Sequence, residues 1–440
     1  MGTPDNSRMQ LLIKLLGSGT LVDGTAYPAL YPFERMHLRE IITQSMWRAF
    51  GTCQEAFRLK YVVGLDTIST AMPLLLGKLA DEIFADLGMG VLRPDQFEDR
   101  VTAWATEQEQ KWHAAVRKRI PVRWDLQKLY DSTNTLISMV DLWLKKPLTE
   151  ATPIATHVKF RVPLPHPTTG RRDPIYDYGG EWDGLLVGHH ETLWLWERKT
   201  TAEGDPDEYE RKLEHDPQRW GYCWALSVIT GRPVGILYDV TRKKPPTVPG
   251  FLVCKKGPCG KTRKAAGGKK VGDPHCGVCG GSGIIGISKT VTDTTLDLFD
   301  AALMQLRLLS PAGKEAIESG QYNEQREKIR RNEHRFTFRI WRTMGREYME
   351  AVPKELYAVA REIGRKKRGT TPFLHHRGNC RQIGRSCEFL PICPTIGSGE
   401  ALRNFKKRDA TVPVELSDAP DTEHWMTDDD DNNNFGDMPF

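Results

Sequence analysis

Apolar residues recur at helical spacing through the first third of the chain and change to a strand-like pattern after it. Residues 37 to 60 have a mixed helical pattern. "PLLLGKLADEIFADLG" (73 to 88) places Pro at its start, Gly at its end and helical periodicity between them, which predicts a helix. The periodicity continues from 95 to 146, a stretch carrying Trp104, Trp112, Trp124 and Trp143, and predicts further helices. From 156 to 199 the pattern is that of strands punctuated by Pro and Gly. "HDPQRWGYCWALSVITG" then sets Asp216 as a cap, Pro217 at the first helical position and Gly231 as the terminator of a helix. A strand, "PVGILYDVT", follows at 233 to 241. After it come a Gly- and Lys-rich cysteine insert (250 to 285), helices across 291 to 368 and a cysteine-bearing loop (376 to 395). Residues 409 to 440 lack the apolar density of a folded segment and are expected to be disordered.

One stretch departs from its own pattern. "GEWDGLLVGHHETLWLWERKTT" (180 to 201) reads as a hairpin of strands at 181 to 187 and 192 to 199 joined by "GHHE", yet Asp183, Glu197 and Lys199 occupy positions where packing favours Val, Ile or Leu. The hairpin sets Asp183 opposite residue 196, within a residue or two, and so beside Glu197. Glu197 and Lys199 share one face, about 7 Å apart. Two carboxylates are hard oxygen ligands for Mg²⁺ or Mn²⁺, and a neighbouring lysine can orient or deprotonate an attacking water. A divalent ion also offsets the cost of burying these charges. The wet face of a surface hairpin would show the same alternation, but Trp194, Leu195 and Trp196 argue against solvation.

Two neighbouring helices add to the constellation. Gln218 and Tyr222 lie four residues apart on one helical face, continued inward by Ala225, Leu226 and Ile229, and could hold a nucleotide by hydrogen bond and stacking. In "GKLADE", Asp81 shares a face with Leu74, Gly77 and Phe84, so its carboxylate interrupts an apolar stripe; Glu82 is the rival for a third metal ligand.

Charge points to a polyanionic partner. The chain of 440 residues carries a formal charge of +5, but residues 417 to 440 hold eight acids and no Lys or Arg, leaving +13 for residues 1 to 416. A basic body of this kind fits nucleic acid. No apolar run is long enough to span a membrane or act as a signal peptide, so a soluble cytoplasmic protein is expected. There the nine cysteines are metal ligands rather than disulfides. Cys254, Cys259, Cys276 and Cys279, in "CKKGPC" and "CGVCG", have the knuckle spacing of a tetrahedral Zn²⁺ ribbon. His275 could replace Cys276. Lys255, Lys256, Lys261, Arg263, Lys264, Lys269 and Lys270 make the insert either a DNA-backbone clamp or a solvated basic loop. Cys380, Cys387 and Cys393 fall one thiolate short of a tetrahedral set, and Cys53 stands near the front.

"GGEWDG", fourteen residues from Asp183 to Glu197 of "ERK", and then "QRWGY" together resemble the PD-(D/E)XK nuclease superfamily, specifically its RecB-type exonuclease branch, similar to the CRISPR-adaptation exonucleases and the AddB nuclease domain. The resemblance implies metal binding by Asp183 and Glu197, catalysis by Lys199 and a Gln-x-x-x-Tyr motif at Gln218 and Tyr222. The family's upstream helix carries a His four residues after a Gly; here Asp81 holds that place. "CQEAFRLKYV" with the C-terminal trio is similar to the iron-sulfur element of this branch, which implies a 4Fe-4S cluster on Cys53, Cys380, Cys387 and Cys393. Six residues separate Cys380 from Cys387 where the family commonly has two. A zinc site, or Cys53 as a small buried hydrophobe, are the alternatives. The terminal "MTDDDDNNNFGDMPF" resembles the tip of bacterial single-stranded-DNA-binding proteins, which implies docking of replication or repair partners.

The expectation is therefore an α/β PD-(D/E)XK (restriction-endonuclease-like) core at 151 to 249. A helical region at 1 to 150 with the first cluster cysteine precedes it. An inserted zinc ribbon (250 to 285), C-terminal helices with the iron-sulfur loop (286 to 408) and an acidic tail (409 to 440) follow. The expected function is metal-dependent exonucleolytic hydrolysis of DNA, single-stranded or at duplex ends, in recombination, repair or phage-type replication in a bacterial or phage-infected cell. The alternative is a DNA-binding assembly factor on a nuclease scaffold; a zinc-ribbon transcription or replication factor leaves the hairpin charges unexplained.

Overall fold

The computed structural model describes residues 6–16, 20–22, 25–28, 31, 39–214, 216–255, 259, 275–288, 293–382, 385–393, 402 and 404–408. The expected clamp residues Lys256, Lys261, Arg263, Lys264, Lys269 and Lys270 and the acidic tail lie outside them.

Helix α1 (Asn6–Leu16) precedes strands β1 (Thr20–Val22), β2 (Thr25–Tyr27) and β3 (Glu40–Ile42). Helices α2 (Gln44–Thr52) and α3 (Gln54–Phe57), a π-helical turn (Arg58–Val62) and β4 (Leu65–Thr67) follow. Three long helices, α4 (Met72–Met89), α5 (Phe97–Arg117) and α6 (Leu126–Leu144), lead to β5 (Ala151–Pro165), β6 (Arg172–Gly188) and β7 (Leu193–Thr201). Next come α7 (Pro206–Glu214), α8 (Pro217–Thr230), β8 (Gly235–Arg242), β9 (Phe251–Val253) and β10 (Ile284–Ile287). Helices α9 (Leu296–Leu309), α10 (Pro311–Glu318) and α11 (Asn323–Asn332), strand β11 (Thr337–Thr343) and helix α12 (Arg346–Lys367) precede the short strands β12 (Arg381–Gln382), β13 (Arg385–Ser386) and β14 (Phe405–Lys407).

An eight-stranded sheet in the order β1-β2-β5-β6-β7-β8-β11, with β3 added parallel to β6, divides the molecule into two layers. Side-chain alternation along β7 assigns its residues to opposite layers. Leu193 and Leu195 join the core that α1, α2, α8 and α12 cover, whereas Trp196 joins the core under α4, α5 and α6. β7 and β8 pair in parallel from Trp194 to Thr201, and the crossover that a parallel pair needs between them carries α7 and α8. α8 begins and ends where its sequence dictates: the Asp216 carboxylate accepts from the Gln218 N–H at 3.1 Å, and Gly231 adopts φ +68°.

Two stretches differ from the pattern-based expectation. Residues 37 to 60 open with β3 before the helices begin, because Glu40–Ile42 pairs with Tyr176–Tyr178 in the sheet. Within the expected helices of 291 to 368, "TFRIWRT" forms edge strand β11: Phe338 and Ile340 are buried, and every residue pairs antiparallel with β8. Its period of two is short and lies between strongly helical neighbours, so local pattern alone hides it.

The N-terminal segment is pinned to the sheet by a buried charge. Asp177 is fully buried and accepts from Arg39 Nε (2.7 Å), Arg161 Nε (2.8 Å) and the Tyr31 hydroxyl. One carboxylate thereby fastens β6 to β5 and to the approach of β3. Asp177→Asn leaves two guanidinium groups without a countercharge and is expected to lower stability by about 3–5 kcal/mol, read from the midpoint of a denaturant titration.

Candidate active site

The ladder between β6 and β7 ends at Leu185↔Leu195, after only three residue pairs. Its register, extended, sets Asp183 level with Glu197. In place of a ladder bond, the Asp183 carboxylate accepts the Arg198 N–H at 3.1 Å, and the Arg198 guanidinium donates back to the Asp183 carbonyl at 2.7 Å. The strands part at the position where the sequence carries its charges.

Alternation along β7 sends those charges to both layers. Glu197 is 1% exposed on the α8 side, where it accepts from Lys199 Nζ and from Gln218 Nε2 (2.8 Å); Lys199 Nζ also donates to Gln218 Oε1 at 3.3 Å. Gln218 is therefore brought to the carboxylate by the capped first turn of α8. Tyr222 lies one turn deeper, buried, with its ring edge-on to Phe160 at 5.4 Å, so it forms part of the floor and offers no open stacking face.

Arg198 points into the other layer and meets α4. Its Nε donates to Asp81 Oδ1 at 2.6 Å. α4 lies close on β7 at its C-terminal end because Gly88 faces the strand there: a Cβ at Gly88 would collide with Trp196 at 2.4 Å, whereas one at Gly77 would make only ordinary contact with Thr200 Oγ1 at 3.6 Å. Glu82, the rival to Asp81, turns away and pairs with Arg100 at 3.5 Å. Leu74 does not share the inward face as expected; it is exposed at the helix start, while Leu76, Leu79, Ala80 and Ile83 pack inward.

Two participants escape a reading of the sequence. Arg198 lies between the two marked residues of "ERK", and its even position was the available signal. His157 has none. It interrupts β5 opposite Asp183 with φ +53°, a left-handed conformation rare for a non-glycine residue inside a strand. This turn aims its ring at two acids, Glu181 (Nδ1 to Oε1, 3.1 Å) and Asp81 (Nε2 to Oδ2, 3.9 Å).

The electrostatics are those of crowded carboxylates. Burial and then the Asp183 charge raise the Glu197 carboxyl to about 8, against the pull of Lys199. The same two causes raise Asp81, with Arg198 offsetting them only in part. For Lys199, burial acts downward, but Glu197 and Asp183 outweigh it and hold the ammonium above the usual lysine range. Three acids face two cations. A divalent cation would relieve this imbalance, and Asp81, Asp183 and Glu197 are hard oxygen donors, but their carboxylate oxygens do not all lie within 4.8 Å of one another, with Arg198 on Asp81 and Lys199 on Glu197.

The profile of the PD-(D/E)XK nuclease superfamily matches residues 42–394. The chain belongs to the PD-(D/E)XK nuclease superfamily. Members are nucleases that use divalent metal ions, so metal-dependent cleavage of nucleic acid is the activity class of this nuclease. Comparison with curated proteins gives no match. No helix among the described residues of the nuclease is long and apolar enough to cross a membrane.

The cysteines of the nuclease form two sites of different calibre. At the open end of the β9–β10 ribbon, Cys254, Cys259, Cys276 and Cys279 are all buried with their sulfurs within 4.8 Å of one another. The Cys254–Cys276 and Cys259–Cys279 separations are 3.9 and 3.5 Å. Tetrahedral coordination at about 2.3 Å per bond spaces sulfurs roughly 3.8 Å apart, so this set fits one metal ion. N–H groups of Cys279 and Val278 pull the Cys276 thiol down to about 7, toward the thiolate that a metal needs. His275 is exposed.

Cys53, Cys380, Cys387 and Cys393 instead line a common cavity of about 600 Å³, together with His375 and Arg377. Their sulfurs do not converge as the ribbon set does: among the described residues, Cys254, Cys259, Cys276 and Cys279 are the one group of three or more donors that tight. The dimensions suit an object larger than a single ion. Cys279→Ala is expected to release the ribbon's metal, counted in the purified protein, and to expose residues 251–287 to hydrogen exchange while the main sheet stays protected.

Proposed function

We propose that this nuclease is a RecB-type DNA exonuclease acting on single strands or duplex ends. The observation that carries the reading is the placement of two acids about Asp183 where β6 and β7 part: Glu197, held by Lys199 and Gln218, in one layer, and Asp81, held by Arg198, in the other. Asp183, Glu197 and Asp81 would hold Mg²⁺ or Mn²⁺. The ion, when bound, supplies Lewis-acid activation of the phosphate and of water. Lys199 holds and orients the water that attacks phosphorus as the ester P–O bond breaks. Gln218 fixes the Glu197 carboxylate and the Lys199 ammonium in one plane of hydrogen bonds, and Tyr222 supports the floor through Phe160.

The wide cysteine cavity is assigned to a 4Fe-4S cluster on Cys53, Cys380, Cys387 and Cys393, and the ribbon to Zn²⁺. The cavity size and the sulfur spacing support these two different occupants. Replication or repair proteins docking on the acidic tail, a cytoplasmic location, and the division at residues 150, 249, 285 and 408 belong to the same proposal.

The test is anaerobic purification with iron, sulfide and zinc quantified, followed by Mg²⁺- or Mn²⁺-dependent digestion of end-labelled single- and double-stranded DNA. Lys199→Ala is expected to slow hydrolysis by about 10²–10⁴-fold with folding verified by circular dichroism. Degradation that persists unchanged in that variant would overturn the catalytic assignment, and tight DNA binding with no hydrolysis would favour an assembly factor. Cys387→Ser is expected to lose iron and sulfide but keep its zinc.

A further inference from the structure

The far side of α4 borders a second concavity. Asp81 faces the sheet, whereas Leu75, Lys78, Leu79 and Glu82 line a pocket of about 300 Å³ shared with α5, the 118–124 connection and β14. The two sites are separated by the width of one helix, about 10 Å with its side chains. Three indoles line the pocket, Trp104, Trp112 and Trp124, and none is fully buried. Trp112 is anchored by donating its Nε1–H to the Trp124 carbonyl at 3.2 Å; the Trp124 ring meets no other ring among the described residues.

Gln108 singles the pocket out as a site. It sits on the α5 face between Trp104 and Trp112, is 6% exposed, and lines the cavity. Among the described residues its side-chain amide has no hydrogen-bond partner. The amide is open to the cavity, where water meets its one acceptor and two donors in the free protein, and the edge of a nucleobase presents the complementary set.

Positive charge surrounds the opening. Lys406 of β14 lines the pocket without an ion-pair partner among the described residues. Lys78 and Lys111 line it as well, and "RKRIPVR", which supplies the lining residues Pro121 and Val122, also exposes Arg117, Lys118, Arg119 and Arg123, none of them ion-paired among the described residues and none of them lining the pocket itself. Of the pocket's two carboxylates, Glu107 pairs with Lys111 at 3.2 Å, and Glu82 shares Arg100, at 3.5 Å, with Asp86.

We propose that this pocket seats one unstacked nucleotide of the single strand leading to or from the active site, its base on the tryptophans and against Gln108, its phosphates on the rim cations. Aromatic faces interleaved with cations are how single-stranded nucleic acid is held without strong sequence preference. The proposal rests on the nuclease reading, and fixes which part of the enzyme prefers an unpaired strand.

The test uses the full chain with Lys199→Ala, which keeps the DNA intact, and the anisotropy of end-labelled oligothymidylates. Adding Trp124→Ala is expected to weaken binding about ten-fold, with Trp124→Phe restoring most of it. A single abasic position moved along the oligonucleotide should weaken binding at one position in the parent and at none in Trp124→Ala. Gln108→Ala should weaken binding less, without a change in melting temperature. Equal affinity with and without Trp124, or an abasic effect that survives its removal, would sink the pocket. So would binding of free thymidine monophosphate that the oligonucleotide fails to displace. Because binding is read without cleavage, a strand-binding protein that never hydrolyses DNA keeps the pocket and loses the nuclease reading, and the converse result does the reverse.

Discussion

Everything around the candidate site depends on one interrupted ladder. Two neighbouring strands that stop pairing inside a sheet must satisfy the freed backbone groups, and here a side chain does it: the Asp183 carboxylate takes the Arg198 N–H. That substitution opens a gap wide enough for Glu197 and Lys199 to face each other and Gln218, while Arg198 is driven to the opposite layer. The wedge is thus both a backbone repair and the placement device for the charges. A helix lying close on β7, as Gly88 allows against Trp196, also brings Asp81 to Arg198.

Charge balance links the two layers. Arg198 touches Asp81 through its guanidinium and Asp183 through its backbone, and so connects the helix carboxylate to the strand carboxylate. When a cation occupies the carboxylates, this contact becomes the alternative that the metal competes with. The left-handed His157 adds a third element, β5, to the same group of acids.

Much of this was legible in the sequence, for reasons that can be stated residue by residue. The α8 caps, the β7 charges and the cysteine knuckles are local signals, in which neighbouring positions suffice to state the chemistry. The superfamily match agrees with the nuclease reading drawn from "WDG", "ERK" and "QRWGY". What was illegible depends on partners distant in the chain. Strand β3 exists because β6 offers it an edge, and β11 because β8 does. His157 owes its place to a backbone twist that no periodicity records, and Leu74 was misplaced because the first turn of a helix can lie beyond the layer its later turns cover.

The cysteine cavity has a consequence in time rather than in space. Among the described residues its walls come from residues 53 to 59 and 375 to 393, and from nothing between. During synthesis the first wall leaves the ribosome more than 300 residues ahead of the second. Whatever fills the cavity can be loaded only once both walls have been made, whereas the ribbon's four thiols, confined to residues 254 to 279, are complete before the second wall exists. Maturation is therefore ordered: the compact thiol cluster can close on the nascent chain before the wide cavity has its second wall.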